Sequence, residues 1–251
     1  MDDRVAVVTG AGTGIGAETA RLLAARGQTV VLVGRRPELL EDVARSLPAG
    51  LAVVMPADLE DPDAPAKVVD AVRAATGRLD VLVNNAAAFV LRPFGSYDRS
   101  DVDRMLATNI RAPFLLVQEA LPLLEMSDAP VVVNVSSAAA VMYRPKQAAY
   151  GLAKAALEHL TKQLAAELAP RRIRVVGVRP GPVDTELHAN VTDDPAARLL
   201  QLGAMVPLGR VGRPEEIARW IGHLVDTDAA WVTGTIVDVD GGRILGPPEA
   251  S

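Results

Sequence analysis

A chain of 251 residues with 49% hydrophobic residues has enough apolar material for one large domain and its core, and is unlike a disordered polymer. Its net charge of −5, from 26 Lys+Arg against 31 Asp+Glu, supplies no global attraction for nucleic acid. With no cysteine, a disulfide framework, a thiolate nucleophile and a zinc–thiolate site are all excluded.

The first residues, Met1-Asp2-Asp3-Arg4, lack the cationic start of a secretory signal, and no run approaches ~18 consecutive apolar residues. A soluble cytoplasmic protein without a membrane partner is expected. The chain then alternates short β-branched runs with longer segments of helical spacing. The first run, Val5–Thr9, leads into Gly10-Ala11-Gly12-Thr13-Gly14-Ile15-Gly16 and a helix-forming stretch from Ala17 to Ala25. In a strand–turn–helix of this kind, glycines permit a tight turn and close backbone approach, and free N–H groups at the helix start can receive a pyrophosphate. A glycine-rich turn without a ligand is the alternative. Placement directly after the first strand favours the phosphate.

A second strand is expected at Thr29–Val33. Where a dinucleotide fold often carries an acid for the ribose hydroxyls, this chain has Gly34-Arg35-Arg36. A guanidinium offers a planar fork for a 2′-phosphate, so Arg35 and Arg36 favour NADP over NAD. The competing reading is a solvated pair beside Glu38 and Glu41. Further strands are expected at Leu51–Met55, Leu79–Val83, Val131–Val135, Arg174–Val178 and Thr235–Val239. Helices are expected at Asp101–Glu125 and, most clearly, at Gln147–Leu168, where Ala149, Ala153, Leu157, Leu160, Leu164 and Leu168 recur every three or four residues. Pro, Gly and short polar pieces make Pro180–Pro214 the segment expected to be irregular, with a substrate loop near 183–214. Continuous apolar strands separated by helices imply a doubly wound parallel α/β sheet of about seven strands, with helices on both faces, in a single domain spanning 1–251.

Tyr150 and Lys154 stand at i and i+4 on one face of the Gln147–Leu168 helix. Alone, such a pair reads first as a surface pair or a Tyr packed in the core. Ser137, however, follows the strand Val131–Val135 at the carboxyl end of the sheet, where open parallel sheets bind ligands.

Together these residues resemble the short-chain dehydrogenase/reductase family. The resemblance is carried by Thr9-Gly10-x-x-x-Gly14-Ile15-Gly16, Asn84-Asn85-Ala86, Thr108-Asn109, Ser137, Tyr150-x-x-x-Lys154 and Pro180-Gly181, and extends from Arg4 to about Gly242. It implies a Rossmann fold and hydride transfer between a nicotinamide cofactor and a carbonyl or alcohol substrate. Tyr150 would be the acid or base, Lys154 its electrostatic support and a ribose ligand, Ser137 the holder of the substrate oxygen, and Asn109 the anchor of a water linking Lys154 to solvent. Gly10, Thr13, Gly14, Ile15, Gly16, Asp58, Leu59, Asn84, Ala86, Pro180, Gly181, Val183 and Thr185 would border the cofactor, with Asp58 reading the adenine amino group. The competing reading of Asp58 is a helix N-cap, since Asp is a common capping residue. Ala87 departs from the pattern, which has glycine after Asn-Asn-Ala.

No metal cluster is expected from His159, His188 and His223, which lie far apart in the sequence. Phe89, Val141, Met142, Tyr143, Leu187 and His188 are candidate pocket residues, and Arg92 and Arg144 leave an anionic substrate open. The alanines of Gln147–Leu168 and the apolar positions of Asp101–Glu125 exceed what one buried face needs, so a homo-oligomer, a tetramer, is expected.

Overall fold

The computed structural model describes residues 4–189 and 194–247. Seven strands form one sheet: β1 (Val5–Thr9), β2 (Thr29–Gly34), β3 (Ala52–Pro56), β4 (Val81–Asn84), β5 (Val131–Val135), β6 (Arg174–Pro180) and β7 (Ile236–Val239), in the order β3-β2-β1-β4-β5-β6-β7. Every pairing is parallel. The strands are short valine-rich runs because both faces of a parallel sheet are covered, and β1, β4 and β5 are buried at every position.

The helices are α1 (Gly14–Ala25), α2 (Pro37–Ser46), α3 (Ala64–Thr76), α4 (Arg99–Leu106), α5 (Ala112–Leu124), α6 (Ala148–Leu168), α7 (Glu186–Ala189), α8 (Pro195–Gly203) and α9 (Pro214–Val225). Leu23, Leu40, Ile217 and Ile221, from α1, α2 and α9, cover one face of the sheet; Val68, Leu116, Ala165 and Leu168, from α3, α5 and α6, cover the other. Strand order reverses at β1, which has β2 on one side and β4 on the other. A crevice opens there at the carboxyl ends of the strands, the place where such sheets take ligands.

Two expectations change. The segment Asp101–Glu125 is interrupted by a π-turn at Ala107–Arg111, closed by Ala112 N–H donating to the Ala107 carbonyl five residues back. Pro113 accounts for the break: without an N–H it cannot donate to the Asn109 carbonyl four residues earlier. The stretch Pro180–Pro214 is less irregular than its composition suggests, since α7 and α8 lie within it. Asp194 caps α8 by accepting from Ala197 N–H at 2.9 Å.

At the amino ends of the strands, opposite the crevice, Asp80 is buried and ties three segments together. It accepts from Val5 N–H at 2.8 Å, from the Arg78 Nε and Nη2 at 3.0 and 2.7 Å, and from the Ser127 hydroxyl at 2.5 Å.

Candidate active site

The crevice is a cavity of about 420 Å³ running from the β2 end of the sheet to the segment after β6. Of the residues expected to border a cofactor, Gly10, Thr13, Gly14, Ile15, Arg35, Arg36, Asp58, Leu59, Ala86, Pro180, Gly181, Val183 and Thr185 line it. Gly10 and Gly14 take positive φ, of 65° and 54°. Gly16 serves from behind: a Cβ there would stand 2.2 Å from the Gly10 carbonyl oxygen, so only glycine lets α1 close onto the turn. Helix α1 starts without a side-chain cap, which leaves its first N–H groups free at the cavity. A glycine cradle with uncapped helix N–H groups is a chemical match for the pyrophosphate of a dinucleotide.

Thr9 fastens this turn to the chain after β4. Its hydroxyl accepts from Asn85 and Ala86 N–H at 2.9 and 3.0 Å, while Asn85 Nδ2 donates to the Thr9 carbonyl at 2.8 Å. Asn84, by contrast, stays out of the cavity. It is buried, and its Nδ2 donates at 2.8 Å to Asn134 Oδ1, which carries the link on to Thr161 of α6. The alternating side-chain directions of β4 explain the difference: its last residue turns inward, and the next one reaches the crevice. Asn85 was the residue missed, although it is adjacent in the sequence.

At the β2 end, Arg35 lies 3.5 Å from Glu60 and Arg36 lies 2.7 Å from Glu186 of α7. Asp58 is not a helix cap, because α3 begins only at Ala64; its Oδ1 accepts from Glu60 N–H at 3.0 Å.

At the other end, Ser137, Tyr150 and Lys154 converge. Ser137 follows β5 and caps the short turn Ala138–Ala140, accepting from Ala139 N–H at 3.2 Å. Gly151 lets α6 press against that turn, since a Cβ there would lie 2.9 Å from the Ala139 carbonyl oxygen. The close approach brings the Tyr150 phenol beside the Ser137 hydroxyl, which favours the phenolate. Phe89 packs edge-on against the Tyr150 ring, centroids 4.7 Å apart. Burial pushes the phenol up to about 12, with the Ser137 hydroxyl opposing. Lys154 is fully enclosed; its Nζ donates to the Val135 carbonyl at 2.8 Å and lies 5.9 Å from the Tyr150 ring centre. Burial brings this ammonium down to about 8, and the charge of Glu158 opposes the shift.

Glu158, one turn beyond Lys154, accepts from the Ser136 hydroxyl at 2.7 Å and from Arg179 of β6, which also donates to Asp238 of β7 at 2.5 Å. None of Ser136, Glu158, Arg179 and Asp238 was expected, because each lies outside any local motif and only the sheet order brings them together.

Asn109 does not line the cavity. It is fully buried in the π-turn, where its Nδ2 donates to the Ala88 carbonyl at 2.9 Å and its Oδ1 accepts from Ala88 N–H at 3.3 Å. Ala87, the departure from the expected glycine, lines the cavity next to the Ala88 that Asn109 holds.

Among the pocket candidates, Phe89, Met142 and Leu187 line the cavity, whereas Val141 and Tyr143 point to solvent and the His188 side chain lies outside the described residues. Arg144 lines it too, but Arg92 is spent on Asp101 at 3.2 Å. Arg243 and Arg198, which also line the cavity, were not foreseen. Among the described residues no cluster of three His or acidic side chains could hold a metal, and no helix is long and apolar enough to cross a membrane.

A family profile described as Enoyl-(Acyl carrier protein) reductase matches residues 10–243. The chain belongs to the short-chain dehydrogenase/reductase family. It is 40% identical over 243 residues to the cis-4-hydroxycyclohexanecarboxylate dehydrogenase of Sinomonas cyclohexanicum, covering 96% of each chain. Among solved structures it resembles a short-chain dehydrogenase/reductase from Serratia marcescens, with 36% identity, a TM-score of 0.88, and coverage of 96% of this chain and 98% of that one. It also resembles the 3-ketoacyl-(acyl-carrier-protein) reductase of Brucella melitensis complexed with NADH, with 31% identity, a TM-score of 0.89 and the same coverage.

Proposed function

We propose that this oxidoreductase moves a hydride between NADP(H) and a secondary alcohol or its ketone, with Tyr150 as the proton donor or acceptor. The observation that carries the reading is the meeting of Ser137, Tyr150 and Lys154 in one buried corner of the cavity whose far end is the glycine cradle. Gly10, Thr13, Gly14 and Ile15 would hold the pyrophosphate, Arg35 and Arg36 the 2′-phosphate, Asp58 and Leu59 the adenine, and Pro180, Gly181, Val183 and Thr185 the nicotinamide. When bound, the nicotinamide supplies or accepts the hydride.

The Ser137 hydroxyl donates to the substrate oxygen and so polarises a carbonyl. Tyr150 delivers the proton to that same oxygen during reduction, and removes it during oxidation. The buried phenol is protonated at neutral pH, so the proton that reduction needs is in place. Oxidation requires the phenolate, and Lys154 lowers the cost of forming it by lying close with a positive charge. Asn109, by fixing the Ala88 backbone, shapes the chain that carries Phe89 against Tyr150. A substrate loop near 183–214 would lie within one domain that spans 1–251.

The names of the relatives cover a ring alcohol and a ketoacyl chain; a secondary alcohol or ketone is the chemistry they share. The cofactor choice rests on Arg35 and Arg36, and a working homotetramer in the cytoplasm is part of the same proposal. The test is a panel of ketones and alcohols followed by NADPH and NADH absorbance, with Tyr150→Phe alongside. Ketone-dependent oxidation of NADPH that collapses in the variant is the expected result. No turnover with either cofactor across the panel would refute the reading.

A further inference from the structure

Arg243 follows the double-glycine turn after β7, is only 7% exposed, and lines the cavity. Its guanidinium forms no ion pair with a described residue, and its Nε is enclosed without a hydrogen-bond partner. The acid in its own turn is already committed: Asp240 accepts from Gly242 and Ile244 N–H, both at 2.8 Å. So are the acids of the cavity wall. Glu186 pairs with Arg36, Glu60 with Arg35 and Arg104, and Asp58 with a backbone N–H. Arg198 of α8 lines the same cavity, and its Nε too is enclosed without a partner.

A buried cation without a counter-charge is costly. Burial alone holds the Arg243 guanidinium below its ordinary value. An anion delivered by a ligand would meet that cost, and its position in the sheet indicates which ligand. Strand β7 is separated from β2 by β1, β4, β5 and β6. At a strand spacing of ~4.8 Å, the axis of β7, which Arg243 follows, lies roughly 24 Å from that of β2, where the 2′-phosphate would bind, and roughly 19 Å from that of β1, where the pyrophosphate would bind. It sits beside the other end: a Cβ on Gly181 would meet Asp240, and Cβ atoms on Gly241 and Gly242 would meet Val206 and Pro207, just after α8. A phosphate on a carrier arm would remain near solvent, whereas Arg243 is enclosed, so the anion belongs on the reacting molecule itself.

We propose that Arg243, joined by Arg198, forms an anion subsite for the substrate, and that the substrate is a small secondary alcohol or ketone bearing a carboxylate. The planar guanidinium matches a carboxylate edge to edge. Leu187, Leu202, Met142 and Phe89 line the apolar space of the same cavity.

The inference rests on the hydride-transfer reading, and the test separates the two. The parent protein is assayed with NADPH on 4-oxocyclohexanecarboxylate and 4-oxopentanoate, each against its neutral methyl ester. The acids are expected to exceed their esters in kcat/KM by about 100-fold, and Arg243→Gln should erase that gap through KM with NADPH affinity unchanged within about two-fold. Esters that react as well as acids would overturn the subsite while leaving hydride transfer standing. Arg243→Gln weakening NADPH as much as the acids would assign the guanidinium to the cofactor instead and overturn it too.

If no ketone is reduced, the functional reading fails alone, and calorimetric titration of cyclohexanecarboxylate decides the subsite: binding abolished by Arg243→Gln supports it, and absent or unimpaired binding rejects it. Arg243→Met supplies a check that needs no ligand. Removing an uncompensated charge should leave the melting temperature equal or higher, and a clear fall would show that the guanidinium already serves the fold.

Discussion

Arg179 grips Glu158 with two nitrogens, Nε at 2.8 Å and Nη2 at 2.7 Å, and through Glu158 it steadies the backbone on which Lys154 and Tyr150 depend. Ser136, which donates to Glu158, stands between Val135, whose carbonyl accepts from Lys154, and Ser137, whose hydroxyl lies beside the Tyr150 phenol. The charged and titratable groups around Lys154 are Tyr150 and Glu158 on its own helix, Arg179 on β6 and Asp238 on β7. Glu158 is the anion that favours the protonated amine, and burial opposes it.

Glu158→Gln keeps an acceptor for Ser136 but removes that charge. Lys154 should then lose its proton at a pH below about 8, by roughly one further unit. The alkaline limb of the kcat/KM profile should move to lower pH with it. Glu158→Asp, which restores the charge, should recover part of the shift. An unmoved limb in Glu158→Gln would show that the network is purely structural.

How far the sequence foretold this arrangement depended on whether the signal was local. The glycine turn, the valine strands and the Tyr150–Lys154 spacing were legible because each is written in a few adjacent residues whose geometry follows from strand or helix period. The π-turn at Asn109 was not read, although Pro113 carried the signal: a missing N–H removes the bond that would have kept the helix regular. Asn84 is named and Asn85 passed over unless strand alternation is followed to the last residue of β4. The Glu158–Arg179–Asp238 chain and Arg243, without an ion pair among the described residues, depend on β6 and β7 lying beside the end of β5, a fact of sheet order that no local pattern contains.

Burial makes the second expectation a matter of sign. Folded Tyr150 keeps its proton to about 12, against 10.0 for a free phenol. Its folded form therefore binds protons more tightly than the unfolded chain, so its contribution to stability is lost as pH rises from 10 towards 12. At about pH 9, cofactor-free parent and Tyr150→Phe should show equal tyrosinate absorbance; an excess of one tyrosinate in the parent would mean the phenol already ionises. Turnover in Tyr150→Phe should fall by about 10²–10⁴-fold.

Asp80 offers a test at the opposite edge of the sheet. Asp80→Ala leaves Val5 N–H and Ser127 without this acceptor and removes the carboxylate that the Arg78 fork grips. A loss of about 3 kcal/mol in urea unfolding is expected, with kcat on any accepted ketone unchanged below the melting transition. A loss under ~1 kcal/mol would show that water replaces these bonds at little cost.

On the proposed reading, Arg35 and Arg36 would carry a preference for a phosphorylated cofactor. Both already have carboxylate partners, Glu60 and Glu186, so phosphate must compete with exposed ion pairs that are worth little in water. Replacing both arginines with alanine should raise the Kd for NADPH by about 100-fold and leave that for NADH nearly unchanged. Tighter binding of NADH than of NADPH by the parent protein would reverse the assignment, whatever the variants do.

Association is the last expectation, and it follows from apolar side chains that the fold leaves outside. Phe114 on α5 and Leu152 on α6 are 47% and 63% exposed, and Leu106 at the end of α4 is 40% exposed. Next to Leu152 the outer face of α6 carries Ala155 and Ala156, small enough for another helix to approach closely, and runs on through His159 and Gln163 to Ala166. A symmetric pairing of these helices between two copies would bury the patch on both at once. Light scattering should therefore give a mass near a multiple of 26.4 kDa, with four copies expected. Leu152→Glu together with Phe114→Glu should shift the mass towards a single chain without altering the circular dichroism spectrum. A parent protein that scatters as a single chain at micromolar concentration would refute the interface.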